Sequence, residues 1–246
     1  SNFMLIGNYF KKLSPDCKNF IITGLSFNSE KCKKGNIFFA IKGVNHDGNK
    51  YIKKAIDRGC KVIVHQKKFQ GIKDSILYIS SKNVRKDLSL IAHKYFKSRP
   101  KNILAVTGTN GKSSIADFYY QILSMNKKKV ASIGTLGIKT KKNLLKVNNT
   151  TLDPITLAKS FKFLDYFKIN NVILEASSHG LHQNRLDGIK FNGGIFTNLS
   201  HDHLDYHKSL KNYLNSKLIL FKRLIKKRGV IIFDSKSPQA KILSKL

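Results

Sequence analysis

The chain has 246 residues, 41% of them hydrophobic, which is enough for one large globular domain or two ordinary ones. Only six of its 46 basic residues are arginine, so we read the net charge of +32 as lysine-rich solvated surface; a basic field that attracts anionic substrates is the alternative. No apolar run approaches the ~20 residues that span a bilayer, and three cysteines without a C-x-x-C pair argue against a disulfide framework or zinc ribbon and favour a reducing cytoplasm.

The first 98 residues are predicted to form a small α/β domain. The stretches "GNIFFAIKG" (35–43) and "GCKVIVHQ" (59–66) contain short apolar strands, and "NKYIKKAIDRG" between them has helical spacing and a glycine stop. A further helix is predicted in "KDLSLIAHKYF" (86–96). Arg99 precedes Pro100 and so avoids helical angles, which places a domain boundary there: residues 1–98 and 99–246.

Strands and helices alternate regularly in the second domain. Strands are predicted at 103–107, 130–133, 171–175, 194–198 and 229–233, and helices from about 112, at about 154–167 and at 209–224. Strands such as "NVILE" and "GVIIF" are continuously apolar, as expected where helices cover both faces of a mostly parallel sheet. The pattern predicts an α/β nucleotide-binding domain.

The stretch "VTGTNGKSS" (106–114) lies between the first of these strands and the helix after it. A phosphate-binding loop needs backbone N–H groups at a helix N-terminus, a lysine near the phosphates and a hydroxyl for Mg²⁺. The chain supplies these parts, although Val106 stands where the usual loop has its first glycine. The alternative is a plain turn. The predicted ATP-binding residues are Gly108, Thr109, Asn110, Gly111, Lys112, Ser113 and Ser114.

Acidic and histidine residues offer further ligands. Glu175 ends the strand "NVILE", where ligands of open α/β sheets bind, and is a candidate to share Mg²⁺ with Ser113. The stretch "SHDHLDYH" (200–207) has the composition of a metal cluster but not the spacing of a closed zinc site. The guanidinium of Arg185 suits a carboxylate or a phosphate.

The shortened loop T-G-T-N-G-K-S resembles that of the Mur ligase superfamily. Three longer stretches are similar to its MurE group, which adds the third peptide residue to UDP-N-acetylmuramoyl-L-alanyl-D-glutamate: "NNTTLDPITL" (148–157), "LEASSHGLHQNRLDGIKFNGGIFTNLSHDHLDYH" (174–207) and "YLNSKLILF" (213–221). The resemblance implies a small N-terminal α/β domain that binds the UDP-sugar and a central P-loop-type ATP-binding domain, which is incomplete here. It also implies that the C-terminal amino-acid-binding domain is absent, so we expect this chain alone to be inactive.

The resemblance also assigns roles to individual residues. It implies that Lys112, His203 and Lys217 are catalytic, with His203 on a second Mg²⁺ and Lys217 carbamylated by CO₂. The metal ligands would be Ser113, Glu175, His203 and the Lys217 carbamate. The resemblance implies that six residues bind the sugar nucleotide: Ser26, Thr150, Thr151, Ser177, Gln183 and Arg185. Ser26 lies in Leu25-Ser26-Phe27, where the family usually has Asp-Ser-Arg.

The implied function is an ATP-dependent ligase of peptidoglycan precursor synthesis, a cytoplasmic monomer that uses ATP and Mg²⁺. It would join meso-diaminopimelate or L-lysine to the UDP-N-acetylmuramoyl-dipeptide through an acyl phosphate, with no nucleic-acid partner. The alternatives are a sister ligase such as MurF or folylpolyglutamate synthetase, a P-loop NTPase, or a nucleic-acid-binding protein. A sister ligase would lose "TTLDP" and "SSHGLHQNR", which are both present. A serine hydrolase is disfavoured because Ser177 lies in no G-x-S-x-G elbow.

Overall fold

The computed structural model describes residues 3–135, 137–142, 152–199 and 210–246. The chain forms two compact units, Ser1–Tyr95 and Phe96–Leu246, which divide close to the boundary predicted at Arg99-Pro100. Each unit contains a parallel-rich sheet with helices, so the predicted α/β class is confirmed.

The first unit contains a five-stranded sheet in the order β3-β4-β5-β7-β6, in which only β6 is antiparallel to its neighbour. A separate antiparallel pair, β1 and β2, precedes it. The strands are β1 Met4–Leu5, β2 Ile21–Ile22, β3 Gly24–Ser26, β4 Asn36–Phe39, β5 Val62–His65, β6 Gly71–Lys73 and β7 Ile76–Ser80. The helices are α1 Ile52–Asp57 and α2 Val84–Phe96, with 3₁₀ turns at Ile6–Asn8, Ser29–Lys31 and Gly48–Tyr51.

The two predicted apolar strands of this unit are β4 and β5, and both are shorter than their apolar stretches. Every residue of β4 and β5 is buried, because both strands lie inside the sheet. Phe38 and Ile63 pack with Ala55 of α1 in one apolar cluster. The continuous apolar pattern therefore reflects burial on both faces of the sheet.

The second unit contains a six-stranded sheet in the order β10-β9-β11-β8-β12-β13, parallel except for β10. Its strands are β8 Asn102–Thr107, β9 Val130–Gly134, β10 Gly137–Lys139, β11 Asn171–Glu175, β12 Phe191–Phe196 and β13 Ile225–Phe233. Its helices are α3 Lys112–Met125, α4 Pro154–Tyr166, α5 Ser178–His182, α6 Leu210–Ile219 and α7 Ala240–Leu243. Within the described part of the chain, no helix is both long and apolar enough to cross a membrane.

Helix α4 shows how local sequence and burial act together. Its N-cap Asp153 accepts a hydrogen bond from the backbone N–H of Thr156 at 2.8 Å, and Pro154 occupies the first turn, where its missing N–H is no loss. Phe161 and Leu164 are fully buried in the main apolar cluster. Burial of each such side chain stabilises the fold by about 1.5–3 kcal/mol, so packing against the sheet fixes this helix.

The end of the predicted 209–224 helix differs from the prediction. Helix α6 ends at Ile219, one π-helical turn follows at Leu220–Leu224, and β13 begins at once at Ile225. Strand β12 begins at Phe191, three residues before the predicted start, and its pairing with β13 is irregular between Phe191 and Gly193. A Cβ on Gly194 would lie 2.7 Å from Ile225 and 3.0 Å from Phe221, so glycine lets the π-helical turn pack closely on β12.

The order of the strands creates a crevice at the carboxyl end of β8. The chain passes from β8 through α3 to β9, so that β11 later fits between them, and it then continues to β12 on the other side of β8. Glu175 of β11 pairs with Val106, and Phe196 of β12 pairs with Thr107. Ligands of open α/β sheets bind at such a reversal of strand order, and the predicted phosphate loop follows β8 here.

Candidate functional site

Two glycines shape the loop between β8 and α3. Gly108 has a φ of 147°, and a Cβ built on it would lie 1.7 Å from Oγ1 of Thr197, so no larger residue fits. Gly111 has a φ of 86° and is the N-cap of α3, where no side-chain cap is found among the described residues. The N–H groups of the first turn of α3 are therefore available to an anion.

Asn198, two residues after the end of β12, holds the loop between β8 and α3. The backbone N–H of Thr109 donates to the carbonyl of Asn198 at 2.9 Å, and the N–H of Asn110 donates to its side-chain Oδ1, also at 2.9 Å. Asn198 thus fixes both residues between the two loop glycines. The role of Asn198 has no local signal in the sequence, because it depends on β12 lying beside β8.

Lys112 opens helix α3 and folds back over the loop. Its Nζ donates to the carbonyl of Gly108 at 2.6 Å and lies 3.4 Å from the carbonyl of Thr109. Burial lowers the pKa of Lys112, whereas the carboxylate of Glu175 acts in the opposite direction. A lysine in this position can interact with a phosphate bound to the loop.

Ser113 and Glu175 meet across the crevice. The Ser113 hydroxyl donates to Oε1 of Glu175 at 2.7 Å. A Cβ on Gly134, at the end of β9, would lie 1.7 Å from Oε2 of Glu175, so this glycine makes room for the carboxylate. Two adjacent ligands of an octahedral Mg²⁺ lie about 3 Å apart, so the Ser113 and Glu175 oxygens fit one ion.

Lys217 is buried on helix α6. Its side chain is only 1% exposed. Burial, with the positive charge of Lys112 as a second cause, lowers the pKa of Lys217 to about 7 from its ordinary value of 10.5. A substantial fraction of this amine is therefore neutral near pH 7, unlike the amine of a surface lysine.

The residues around helix α5 form a second group. Ser177 caps the helix by accepting a hydrogen bond from the N–H of Gly180 at 3.0 Å, and Arg185 donates to Oε1 of Gln183 at 2.8 Å. A Cβ on Gly180 would lie 3.1 Å from Oγ of Ser177 and 3.9 Å from Cδ of Arg185. Ser177 thus lies at the N-terminal end of this short helix, Gln183 and Arg185 follow its C-terminal end, and both Ser177 and Arg185 lie near Gly180.

Ser26 lies in the first unit, at the end of β3. It is 4% exposed, and its hydroxyl donates to the carbonyl of Asn28 at 2.7 Å. The same oxygen accepts from the N–H of Asn28 at 3.2 Å, so Ser26 shapes the turn after β3. The remaining predicted residues, Thr150, Thr151 and His203, lie outside the described residues. No group of three or more possible metal-ligating side chains occurs in the ranges that the structure describes.

Two family models match the chain, in ranges that do not overlap. Residues 21–99 match the model described as Mur ligase family, catalytic domain, and residues 106–245 match the Mur ligase middle domain. The second match covers more than half of the chain. The chain belongs to the Mur ligase family.

Curated relatives share the name UDP-N-acetylmuramoyl-L-alanyl-D-glutamate–2,6-diaminopimelate ligase. The protein from Rickettsia conorii is 41% identical over 218 residues, which cover 87% of this chain and 45% of the relative. The protein from Bradyrhizobium diazoefficiens is 38% identical over 231 residues, which cover 94% of this chain and 47% of the relative. The chain therefore spans about half the length of these relatives.

Solved structures agree with the family assignment. A structure titled with the same ligase name aligns with a TM-score of 0.85 at 27% identity and covers 98% of this chain and 49% of that chain. A MurF ligase from Thermotoga maritima in complex with ADP aligns with a TM-score of 0.60 at 17% identity and covers 90% of this chain and 48% of that one. The MurF likeness shows a common fold.

Proposed function

We propose that the chain is the N-terminal and middle part of an ATP-dependent ligase that joins 2,6-diaminopimelate to UDP-N-acetylmuramoyl-L-alanyl-D-glutamate in peptidoglycan precursor synthesis. The substrates follow from the shared name of relatives that are 38% and 41% identical. The observation that carries the proposal is the 2.7 Å contact between Ser113 and Glu175, next to the loop that Lys112 covers. A cytoplasmic location fits the three buried free thiols of the chain.

The ATP phosphates would occupy the loop from Gly108 to Ser114. The N–H groups of the first turn of α3 would bind phosphate oxygens, and Lys112 would turn its ammonium group from the loop carbonyls to the phosphates. Ser113 and Glu175 would hold Mg²⁺, which neutralises charge that develops on the phosphates. Thr107 is a further indication that a ligand binds at this end of β8. Its buried Oγ1 has no hydrogen-bond partner among the described residues, and buried polar atoms normally have one.

Lys217 would carry a carbamate. The nitrogen lone pair of a neutral amine attacks the carbon of CO₂ and forms a C–N bond. One C=O bond opens to give a carboxylate, and the nitrogen releases a proton. The lowered pKa of Lys217, about 7, supplies the neutral amine that this step needs. The product is an anion, so the unfavourable influence of the Lys112 charge on a protonated Lys217 would become a favourable one. With His203, this carbamate would serve a second Mg²⁺.

Residues of the second unit would bind the muramoyl-peptide of the sugar nucleotide. Ser177, Gln183 and Arg185 would contact the muramoyl-peptide, together with Thr150 and Thr151. The guanidinium of Arg185 is suited to a carboxylate or phosphate oxygen. In the first unit, Ser26 would lie at the uridine, at the carboxyl end of β3.

The reaction would proceed in two displacements. An oxygen of the D-glutamate carboxylate attacks the γ-phosphorus of ATP, the bond to ADP breaks, and an acyl phosphate forms. The neutral amine of diaminopimelate then attacks the acyl carbon, the bond to phosphate breaks, and the nitrogen loses a proton as the amide forms. Lys112 would stabilise charge in the first displacement, and the loop would hold the phosphoryl group in line with the carboxylate.

Calorimetry with the chain itself tests the two binding steps. We expect ATP to bind only with Mg²⁺ present, and UDP-N-acetylmuramoyl-L-alanyl-D-glutamate to bind in a separate titration. Duplex DNA is the control ligand, because a mainly electrostatic complex weakens steeply as salt rises. Failure of either titration with the expected ligand would contradict the proposal.

A fusion tests the ligation. Because the chain spans about half of its relatives, we propose that it forms no amide alone and that it gains activity when joined to the remaining half of the Rickettsia conorii relative. Diaminopimelate, L-lysine and D-alanyl-D-alanine would be compared as amine acceptors, with Lys112→Ala in the fusion as the control. A preference for D-alanyl-D-alanine would favour a MurF-type ligase, and amide formation by the chain alone would refute the need for the other half.

A further inference from the structure

Helix α5 ends in a turn that depends on one left-handed residue. The N–H of Arg185 donates to the carbonyl of Gly180 at 3.0 Å, and the N–H of Asn184 donates to the carbonyl of Leu181 at 3.2 Å. Asn184 has a φ of 59°. These bonds define a Schellman motif with Asn184 as its left-handed residue. The turn reverses the chain between Gln183 and Arg185 and lets their side chains meet at 2.8 Å.

A buried carboxylate holds the side chain of Asn184. Oδ2 of Asp187 accepts a hydrogen bond from Nδ2 of Asn184 at 2.7 Å, and Asp187 is only 5% exposed. Its neighbours Leu186 and Ile189 belong to the main apolar cluster. A carboxylate in such surroundings is costly unless it is paired, so the Asn184 amide and its position are closely coupled to Asp187.

Arg223 supports the same loop from a second element. Its Nη2 lies 3.9 Å from Oδ1 of Asp187, and its carbonyl accepts a hydrogen bond from Nζ of Lys190 at 3.0 Å. Arg223 belongs to the π-helical turn Leu220–Leu224, which directly follows the helix of Lys217. The loop after α5 is thus attached at two points to the segment that continues the Lys217 helix.

The motif itself does not require asparagine. Helix α4 ends in the same way: the N–H of Ile169 donates to the carbonyl of Leu164 at 2.9 Å, and the N–H of Lys168 donates to the carbonyl of Asp165 at 2.9 Å. The left-handed residue there is Lys168, with a φ of 57°. What distinguishes the turn after α5 is the bond from Asn184 to a buried carboxylate.

We propose that Asn184 and Asp187 form a positioning pair that holds Gln183 and Arg185 in the arrangement that binds the muramoyl-peptide. The pair does not contact the substrate; it fixes the turn from which the two binding side chains extend. This inference rests on the proposed function, because it takes Gln183 and Arg185 as substrate ligands.

Calorimetry on the chain tests the pair with two ligands, UDP-N-acetylmuramoyl-L-alanyl-D-glutamate and ATP with Mg²⁺. We expect Asn184→Ala and Asp187→Ala each to weaken binding of the sugar nucleotide about tenfold. The double variant should bind it as well as the weaker-binding single variant does, because each single change already disrupts the same coupled pair. ATP affinity should change by less than about twofold in all three. The matched control is Lys168→Ala, which truncates the same position of the same motif and should leave both affinities unchanged.

The outcomes separate this inference from the proposed function. Unchanged sugar-nucleotide affinity in both single variants overturns the positioning pair, as does equal weakening for both ligands or full additivity in the double variant. If Asp187→Ala does not fold, Asp187→Asn replaces it, since it keeps the side-chain shape and should weaken only sugar-nucleotide binding. A wild-type chain that binds ATP but not the sugar nucleotide refutes the proposed substrate instead, and the inference with it.

Discussion

The buried amine of Lys217 should give the protein an unusual dependence of stability on pH. The fall of its pKa from 10.5 to about 7 corresponds to a cost of about 5 kcal/mol for the protonated form in the folded state. Below about pH 7 both folded and unfolded chains carry the proton, so the whole cost is present. Between about pH 7 and 10.5 the unfolded chain binds more protons, so the free energy of unfolding rises by at most about 1.4 kcal/mol per pH unit.

Lys217→Met tests this reasoning. Methionine has a similar length and no charge, so at pH 7 we expect the variant to be more stable than the wild type by up to about 4 kcal/mol and to lack the added rise with pH. Urea unfolding followed by circular dichroism, in buffer free of CO₂ and from about pH 6 to pH 10, measures both quantities. Lys211→Met is the matched control, because Lys211 is exposed on the same helix and its replacement should leave the pH dependence unchanged.

Two results would refute the argument. If the free energy of unfolding changes with pH in the same way for the wild type and Lys217→Met, Lys217 keeps an ordinary pKa. The argument for a neutral amine that could form a carbamate would then fail as well. Added bicarbonate should stabilise the wild type but not the methionine variant, because CO₂ that binds only the folded state shifts the unfolding equilibrium. Equal stabilisation of both proteins would show that the effect of bicarbonate does not involve Lys217.

The other predictions concern the phosphate loop, the magnesium ligands and the carbamate. Lys112→Ala should lower ATP affinity at least about tenfold without loss of fold, and unchanged affinity in calorimetry would contradict the role of Lys112. Gly134→Ala should raise the Mg²⁺ concentration needed for ATP binding, because its Cβ would displace the Glu175 carboxylate; an unaltered Mg²⁺ titration would argue against that carboxylate as a ligand. ¹³C-bicarbonate NMR should detect a carbamate in the wild type and none in Lys217→Ala, whose activity in the fusion should be partly restored by small carboxylic acids. If the wild type shows no carbamate resonance and small carboxylic acids restore no activity to Lys217→Ala, the modification is excluded.

Local patterns predicted the elements because burial in a parallel sheet leaves a clear apolar signal. The strand "NVILE" is β11 with the predicted bounds, 171–175, and helix α3 begins at Lys112 as its glycine N-cap indicates. The helix around Phe161 also follows its apolar pattern closely. Each of these elements is determined by residues within one short segment, so a single sequence suffices.

The supporting residues could not be predicted, because their roles depend on strand order. Asn198 binds the phosphate loop only because β12 pairs with β8, and Gly134 adjoins Glu175 only because β9 pairs with β11. The sequence predicts α-helix through Leu220–Leu224, because the π-helical turn there has the same apolar character as an α-helix. The contact of this turn with Gly194 joins residues far apart in the sequence. Tertiary neighbours, and not local preference, decide these features.

The electrostatic cost at Lys217 is itself an argument for chemistry. A methionine or leucine would fill the same buried position on α6 without the cost of burying an amine, whereas the side chain of Lys217 is only 1% exposed and the charge of Lys112 also disfavours its protonated form. Carbamylation reverses this balance, because the modified side chain carries a negative charge next to a positive one. Burial is the larger cause of the lowered pKa and the charge of Lys112 the second, so under the proposed function the carbamate would replace a cation that this position disfavours with an anion that Lys112 attracts.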